Sequence, residues 1–527
     1  MSTTALKCRR HALLAMAGFA WIAAAATAGE TGEHGDFLAE LEVHCGQPNA
    51  TLHFSAQTAQ QVRWQPDLLS PQGHTLRRWR GNTRLGNTPV DLPVSWDAPA
   101  PALAAQALPG TYQLRLQASA NGRTMRQSWD VAAAAPQQTL AAALTAAPAR
   151  IPAATSYVIR YGNLHSQTNH SDGGGALGHC TGAQDPQSAA LGPADAYEYA
   201  RQHGLDFLMA SEHNHMYDGS DGTNPGADPA AAHALYQSGL RAAAGYSAAH
   251  PDFLALYGQE WGVISHGGHL NIFNSPELLG WERNASGQLL ADTFSARSDY
   301  ASLYRLMRAR GWIGQFNHPA EDQFAVGNQP LAYTPDGDEV MVLCEVMNSN
   351  AFSQSANESE ARHSNFEAAC NKLLAAGYHL AFSSDQDNHC ANWGASYSNR
   401  TGILLPPDAP FTQASLLDAL RARHVFATMD KSAYVILSAN GHVMGERFHN
   451  HGPLTLQVDY ASNSGHHLDA ITILHAIPGA GGEFSAIAHT TTSELQPSAG
   501  EHVYYARLVQ DDGKLLWSAP LWVTQEP

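Results

Sequence analysis

The chain has 527 residues, with 29 Lys or Arg against 47 Asp or Glu, so its formal net charge is −18. An acidic chain repels the phosphate backbone, which disfavours a non-specific nucleic-acid binder. The hydrophobic fraction of 44% is enough to build sizeable cores and argues against global disorder. Charged residues are scarce at 14%, whereas there are 28 histidines, so the positions of the histidines become the main question.

The first 28 residues match the layout of a secretory signal peptide. A basic segment at 7–10 precedes an apolar stretch at 12–26, which is shorter than the ~20 residues of a membrane span. A small-x-small cleavage pattern follows at 26–28, and cleavage there takes the net charge from −18 to −21 because three basic residues are lost. We therefore predict export to the periplasm or the cell exterior, with no membrane span after cleavage.

Five cysteines follow the predicted cleavage site, so at least one stays unpaired or pairs outside the chain. Export implies an oxidising compartment in which the others can pair. Cys180 and Cys390 each follow a histidine in a loop rich in glycine or asparagine, and we predict a disulfide between them.

The segments that flank the middle of the chain are rich in short alternating runs separated by Pro, Gly, Asn and Asp turns. They predict an N-terminal β-sandwich-like domain over residues 37–135 and a C-terminal one over residues 431–527. Residues 136–154 are dominated by Ala and Pro and predict a linker.

Residues 155–430 alternate apolar runs with helical patterns, such as the one that Pro193 opens and Gly204 closes and the one that Ser298 caps. The seven runs are VIRYGNLH, LDFLMASEH, FLALYGQE, HLNIFN, WIGQFNH, VMVLCEVMN and LAFSSDQDNH. This alternation predicts an α/β fold with a parallel barrel, whose active site gathers at the C-terminal ends of the strands. Each run ends in His, Glu, Asp or Asn.

Histidines and carboxylates cluster at five of these strand ends. They are His165, His170, Asp172, Glu212, His213, His215, Glu260, His266, His269, His318, Asp385, Asp387 and His389. Imidazole and carboxylate together suit Zn, Mn or Fe, whereas carboxylates alone would suit Mg or Ca. The set therefore predicts a site for divalent metal ions.

In this order, the motifs GNLHSQTNHSDG, LDFLMASEHN, a Glu followed by His, FNHP and DNH resemble those of the PHP (polymerase and histidinol phosphatase) superfamily. The resemblance covers about residues 157–430. It implies a distorted (β/α)7 TIM-like barrel that holds two or three divalent metal ions and hydrolyses phosphoesters, as most characterised members do.

The resemblance also implies a ligand set. The first metal would be bound by His165, Glu260 and Asp387, the second by Glu260, His269 and His318, and the third by Asp172, His213 and His389. Two positions depart from the family pattern, because Gln167 replaces a ligand histidine and Glu212 replaces the aspartate before His213. The DxH spacing selects Asp387 over Asp385, which could instead orient a ligand.

Beyond the ligands, Glu260 and Asp387 are predicted to serve catalysis through the metals. His170 and His215 could act as general acids or hydrogen-bond donors to phosphate, or be loop histidines without a role. Arg400 could clamp a phosphate oxygen, or be an ordinary surface arginine. Glu345 and Asn348 could position substrate or water but are not predicted as ligands.

Three functions remain open. The first is an exported metal-dependent phosphoesterase that hydrolyses a small phosphorylated substrate with metal-activated water. The second is an amidohydrolase-type C–N or C–O hydrolase on the same metal site, and the third is a non-catalytic metal-dependent binding or surface protein. Contacts to protein or glycan through the β domains are compatible with all three, and no nucleic-acid partner is expected.

Overall fold

A computed structural model describes residues 38–43, 49–55, 59–70, 74–86, 90–95, 111–120, 123–132, 157–264, 267–479 and 483–527. The predicted signal peptide, the predicted linker, Cys45 and His266 lie outside these residues. In the described part of the chain, no helix combines the length and apolar character that crossing a membrane requires.

The described N-terminal segments are all strands. Five of them form one antiparallel sheet: Gln60–Leu69, Thr75–Arg78, Gly81–Leu85, Thr111–Ala120 and Arg123–Ala132. The other three, Leu38–Val43, Asn49–Ser55 and Val90–Ser95, pair with one another. Leu52 and Phe54 of the second group pack with Val62 and Leu116 of the first, so side chains from both groups share one core.

All seven apolar runs of the middle region form strands. They are Val158–Asn163, Phe207–His213, Leu254–Val263, Gly268–Ile272, Gly314–Phe316, Met341–Ser349 and Ala381–Asp385. Consecutive strands are hydrogen-bonded neighbours. Beyond the first and last strands, Ser166 forms a parallel bridge with Asn388, so the two ends of the row meet.

One strand departs from the expected parallel order. Gly268–Ile272 runs antiparallel to both of its neighbours, Leu254–Val263 and Gly314–Phe316. Only a few residues connect it to the strand before it, too few for the crossover that a parallel connection needs. A direct reversal therefore replaces the expected helix at this point.

Helices join most of the remaining strands. They are Pro193–Gln202, Pro229–Ala249, Tyr300–Arg310, Pro335–Val340, Glu367–Ala376 and Gln413–Arg421, with a 3-10 helix at Asn214–Asp218. Short strands occur at Leu279–Gly280, Thr293–Phe294 and His363–Asn365. The cap expected at Ser298 belongs instead to Asp299, whose carboxylate accepts a hydrogen bond from the Ser302 amide at 3.0 Å.

The C-terminal region is again made of strands. They are Ala433–Ala439, His442–Val443, Arg447–His451, Leu454–Ser462, Leu468–Ala476, Ser485–Ala488, Thr492–Leu495, Gly500–Gln510, Leu515–Ser518 and Leu521–Glu526. Two further strands, Arg400–Leu405 and Val425–Thr428, link them to the middle region, since Val425–Thr428 pairs with Leu515–Ser518. A continuous ladder therefore crosses the boundary predicted at residue 430, and the division into domains stays a prediction.

Candidate metal centre

The Glu260 carboxylate lies at the centre of a buried cluster of imidazoles. Its Oε1 is 3.0 Å from His269 Nδ1 and 3.3 Å from His318 Nε2. Its Oε2 is 3.0 Å from His165 Nε2 and 3.3 Å from His213 Nδ1. Glu260 is fully buried, and these four histidines come from four different strand ends.

The other three predicted ligands complete the same cluster. Asp387 Oδ1 is 3.0 Å from His165 Nε2. Asp172 Oδ1 is 3.5 Å from His213 Nε2 and 3.4 Å from His389 Nε2. All eight predicted ligands are therefore brought together, although their role as ligands stays a prediction.

The donor atoms fall into groups of the size that binds a metal ion. Three such groups occur in the cluster: His165, His318 and Asp387; Asp172, His213 and His389; and His213, Glu260 and His269. Within each group the donor atoms lie within 4.8 Å of one another. Mixed imidazole and carboxylate donors suit borderline divalent cations, so the residues present fit the metals expected from the sequence.

Two of these residues hold unusual backbone conformations. Asp387 has φ 49° and His318 has φ 28°, both in the left-handed region that costs energy for residues other than glycine. The Asp387 amide donates to the His165 carbonyl at 3.0 Å, and the His318 amide donates to Glu345 Oε2 at 2.7 Å. These hydrogen bonds hold the two side chains toward the cluster.

The structure separates Asp385 from Asp387. Asp385 accepts hydrogen bonds from the Leu164 amide at 2.6 Å and from Thr401 Oγ1 at 3.1 Å, so it orients the first strand. Burial and the nearby Glu345 raise the pKa of Asp385 to about 7. Burial also raises the pKa of Asp387, but His165 outweighs it and brings this pKa down to about 2. Asp387 is therefore the carboxylate that is anionic at neutral pH and faces the histidines.

Within the cluster, opposite charges outweigh the effect of burial on the pKa of Glu260 and of His389. Burial raises the pKa of Glu260, yet His165, His269 and His213 hold it well below its usual value. Burial lowers the pKa of His389, but the carboxylates of Asp172 and Asp387 outweigh burial and raise it to about 9. A carboxylate that stays ionised in so buried a place is suited to bind a cation.

Three neighbours of the ligands were missed or left without a firm role by sequence reasoning. Gln167 Nε2 donates to Glu260 Oε2 at 2.7 Å, and Asn317 Nδ2 donates to Glu260 Oε1 at 2.8 Å. Glu345 lies 3.3 Å from His165 Nδ1, on the ring edge opposite Glu260. For Asn317, the one available signal was its place directly before His318 in the FNHP motif.

Glu212, which replaces the family aspartate, holds the preceding loop. Its carboxylate accepts from Thr168 Oγ1 at 2.5 Å, from the Thr168 amide at 3.0 Å and from Ser171 Oγ at 2.6 Å. The loop it holds carries Asp172, so Glu212 positions one ligand without lying among the donor groups.

The predicted accessory residues have mixed outcomes. His215 is buried beside the cluster, with its ring 6.1 Å from that of His213 and stacked 6.0 Å from Trp281. His170 instead lies 2.7 Å from the Tyr257 hydroxyl, and burial lowers its pKa to about 4. His170 therefore contacts a tyrosine, whereas the His215 ring lies next to a predicted ligand, His213.

The role proposed for Arg400 requires correction. Its side chain is fully buried, and it donates to the carbonyls of Asn399 at 2.7 Å and Gly394 at 2.8 Å and to Glu358 Oε1 at 3.1 Å. These bonds organise the segment after the last ligand motif. The guanidinium is therefore a structural group and not a phosphate clamp.

Two disulfides adjoin the cluster. The predicted bond between Cys180 and Cys390 is confirmed, and a second one joins Cys344 to Cys370. Cys390 follows His389 and Cys344 precedes Glu345, so each disulfide anchors a segment that carries a residue of the site.

No family model matches the chain, and no curated protein matches it. Among solved structures, a two-domain protein from Bacteroides vulgatus containing a predicted PHP-like metal-dependent phosphoesterase is 14% identical, covers 69% of this chain and 96% of its own, and has a TM-score of 0.32. The FMN-binding β-glucuronidase of Facaelibacterium prausnitzii L2-6 is 11% identical, with 94% and 74% coverage and a TM-score of 0.17. The β-glucuronidase of Parabacteroides merdae is 8% identical, with 93% and 65% coverage and a TM-score of 0.16. At these values the similarity establishes neither family nor function.

Proposed function

We propose that this protein is an exported metal-dependent phosphoesterase that hydrolyses a small phosphorylated substrate. The observation that carries the proposal is the Glu260 carboxylate, which lies within 3.3 Å of imidazoles from four strand ends. We further propose that the row of seven strands closes as a distorted (β/α)7 barrel, which the bridge between Ser166 and Asn388 supports.

Two or three divalent ions, Zn, Mn or Fe, would be held by the three donor groups, with His213 shared between two of them. Such ions bind phosphate oxygens and lower the pKa of water toward 7. They would also supply the positive charge that phosphate requires and that Arg400, turned toward Glu358, does not provide.

The chain's own residues would then orient the site. Glu345 holds the His165 ring from the side away from Glu260, and the Gln167 and Asn317 amides hold the Glu260 carboxylate. We propose that His215, whose ring lies 6.1 Å from that of His213 and is stacked against Trp281, passes a proton to the leaving group of the substrate.

Export is part of the proposal. It is supported by the signal-peptide pattern of residues 1–28 and by two disulfides, which form in oxidising compartments. A small substrate is favoured over a long polyanion because the mature chain carries a net charge of −21 after the predicted cleavage, from −18 before it.

A substrate panel tests the proposal. Protein loaded with Mn, Zn or Fe should hydrolyse p-nitrophenyl phosphate or bis-p-nitrophenyl phosphate, and Asp172→Asn should abolish this turnover together with part of the metal content. Asp252→Asn is the matched control, since that carboxylate is 68% exposed and precedes the strand Leu254–Val263, whereas Glu260 lies toward the other end of this strand. Turnover of amide or carboxylic ester substrates alone would favour the amidohydrolase hypothesis. A fully metallated protein without turnover on any of them would refute catalysis.

A further inference from the structure

A cavity lies between the middle region and the C-terminal strands. It has a volume of about 480 Å³ and is lined by Tyr333, Pro335, Asp338, Glu339, His379, Arg423, Gly445, Arg447 and Trp522. This volume is within the range of small-molecule sites, which runs from roughly 300 to 1,000 Å³.

The cavity is remote from the metal centre. His379 precedes the strand Ala381–Asp385, whose other end leads to Asp387 and His389. Six residues of extended chain from His379 to Asp385 span about 20 Å. The cavity therefore opens at the opposite end of the strand from the Glu260 cluster.

The acidic groups that line the cavity already have partners. Asp338 accepts from the His379 amide at 2.7 Å and lies 2.9 Å from His379 Nδ1. Glu339 Oε2 is 2.7 Å from Arg308 Nε, outside the cavity lining. Neither carboxylate makes an ion pair with an arginine of the cavity among the described residues.

Neither arginine of the cavity is paired with a carboxylate among the described residues. Arg423 donates from Nε to the His379 carbonyl at 2.9 Å and from Nη1 to the Arg421 carbonyl, both of which are uncharged acceptors. Arg447 is exposed, and within the described chain its guanidinium makes no hydrogen bond or ion pair. Burial lowers the pKa of Arg423 to about 10, with Asp338 opposing and Arg447 adding to this effect, so Arg423 stays charged at neutral pH.

Aromatic side chains form another part of the wall. Trp522 is buried, with its ring 5.0 Å from that of His379, whereas Tyr333 is 43% exposed. Rings of this kind offer a flat apolar surface next to a polar edge. Guanidinium groups match carboxylate and phosphate in planar, bidentate geometry.

We propose that this cavity is a second ligand site, which binds a sugar-sized ring bearing a carboxylate or a phosphate. The anion would lie between Arg423 and Arg447, and the ring would rest against the exposed Tyr333, with Trp522 buried behind the wall. The site is separate from hydrolysis at the metal centre, because the two lie at opposite ends of the strand Ala381–Asp385.

Isothermal titration of the metal-loaded protein tests this with three probes: glucuronate, a non-hydrolysable phosphonate of glucose, and uncharged glucose. We expect at least one of the two anions to bind and glucose not to bind. Arg447→Gln should weaken binding of the anion at least about tenfold, which is the effect of losing one charge-assisted hydrogen bond. Tyr333→Ala should weaken it less, and Arg305→Gln, which removes an exposed arginine from the helix Tyr300–Arg310, should have no effect.

Three results would overturn the proposal. One is that neither anion binds, and another is that glucose binds as tightly as the anions do. The third is anion binding that Arg447→Gln leaves unchanged, because such a ligand would lie elsewhere, for instance at the metal centre. Since Arg447 is exposed, the variant is expected to fold, and an unchanged unfolding midpoint would verify that it does.

Discussion

Two buried glutamates of this protein, Glu367 and Glu260, have different kinds of partner. Glu367, at the start of the helix Glu367–Ala376, accepts from Tyr505 Oη at 2.5 Å and from Arg507 Nη1 at 3.0 Å, so one carboxylate meets one fixed cation and one hydroxyl. Glu260 instead meets four imidazoles at 3.0–3.3 Å, and its two hydrogen bonds from amides come from Gln167 and Asn317.

The difference distinguishes a structural ion pair from the candidate metal centre. An arginine carries its charge at any ordinary pH, so Glu367 is neutralised by the chain itself. Imidazoles can give up their protons and offer lone pairs to a metal, so the Glu260 cluster can exchange protons for cations. The structural pair should therefore matter for stability, and the cluster should matter for metal binding.

The largest expected effect comes from Glu260→Gln. Removal of the central carboxylate should remove at least one metal ion per chain, measured by elemental analysis, and lower phosphoesterase turnover at least about a thousandfold. The metal-free variant should unfold within a few degrees of the metal-free wild type. Full metal content in this variant would show that Glu260 is not a ligand.

Glu367→Gln should have the opposite profile. The substitution removes the carboxylate charge that lies 3.0 Å from the Arg507 guanidinium, so we expect a loss of about 3–5 kcal/mol in the free energy of unfolding, measured with urea. Metal content should stay at the wild-type level. Glu483→Gln, at an exposed glutamate, is the control and should change neither quantity. A loss of metal in Glu367→Gln without a loss of stability would break the contrast between the two groups.

Glu345→Gln lies between these extremes. Glu345 contacts the His165 ring and accepts from the His318 amide, so its charge should orient two ligands without binding the metal. Loss of such a partner typically lowers metal affinity 10–100-fold. Competition against a chromogenic chelator would measure this effect, and a change below twofold would show that Glu345 does not orient them.

The smallest effect concerns another buried carboxylate, Asp430, which accepts from Ser464 Oγ at 2.6 Å, Ser462 Oγ at 2.8 Å and Gln510 Nε2 at 3.0 Å. Burial raises the pKa of Asp430, but these hydrogen bonds outweigh burial and hold it well below its usual value. Its stabilising contribution is thus present above about pH 4, the unfolded value, and is lost as the pH falls below it.

Asp430→Asn should therefore cost about 1–2 kcal/mol at pH 7 and progressively less below pH 4. Urea unfolding of both proteins at pH 7, 5 and 3 would measure the difference. A cost that is constant across this range would show that the charge of Asp430 does not contribute.

The strands were the most predictable part of the fold. A strand buried on both faces is mostly apolar, and Phe207–His213, Leu254–Val263 and Ala381–Asp385 are buried throughout. Apolar runs predicted all seven strands of the middle region, although Val158–Asn163 begins at an exposed residue. The helix Pro229–Ala249 was missed, because its alanine-rich segment has no marked apolar face. The reversal at Gly268–Ile272 was missed because strand direction depends on the connection and not on the run itself.

The sequence alone determined which donor atoms are available to a metal ion. The segments from His165 to His389 supply imidazole nitrogens and carboxylate oxygens. Only the tertiary structure decided which of those atoms meet. It turned Asp387 toward the histidines and Asp385 toward Leu164, and it bound Arg400 to backbone carbonyls. The physical reason is that residue type fixes the chemistry of a side chain, whereas its direction depends on partners distant in the chain.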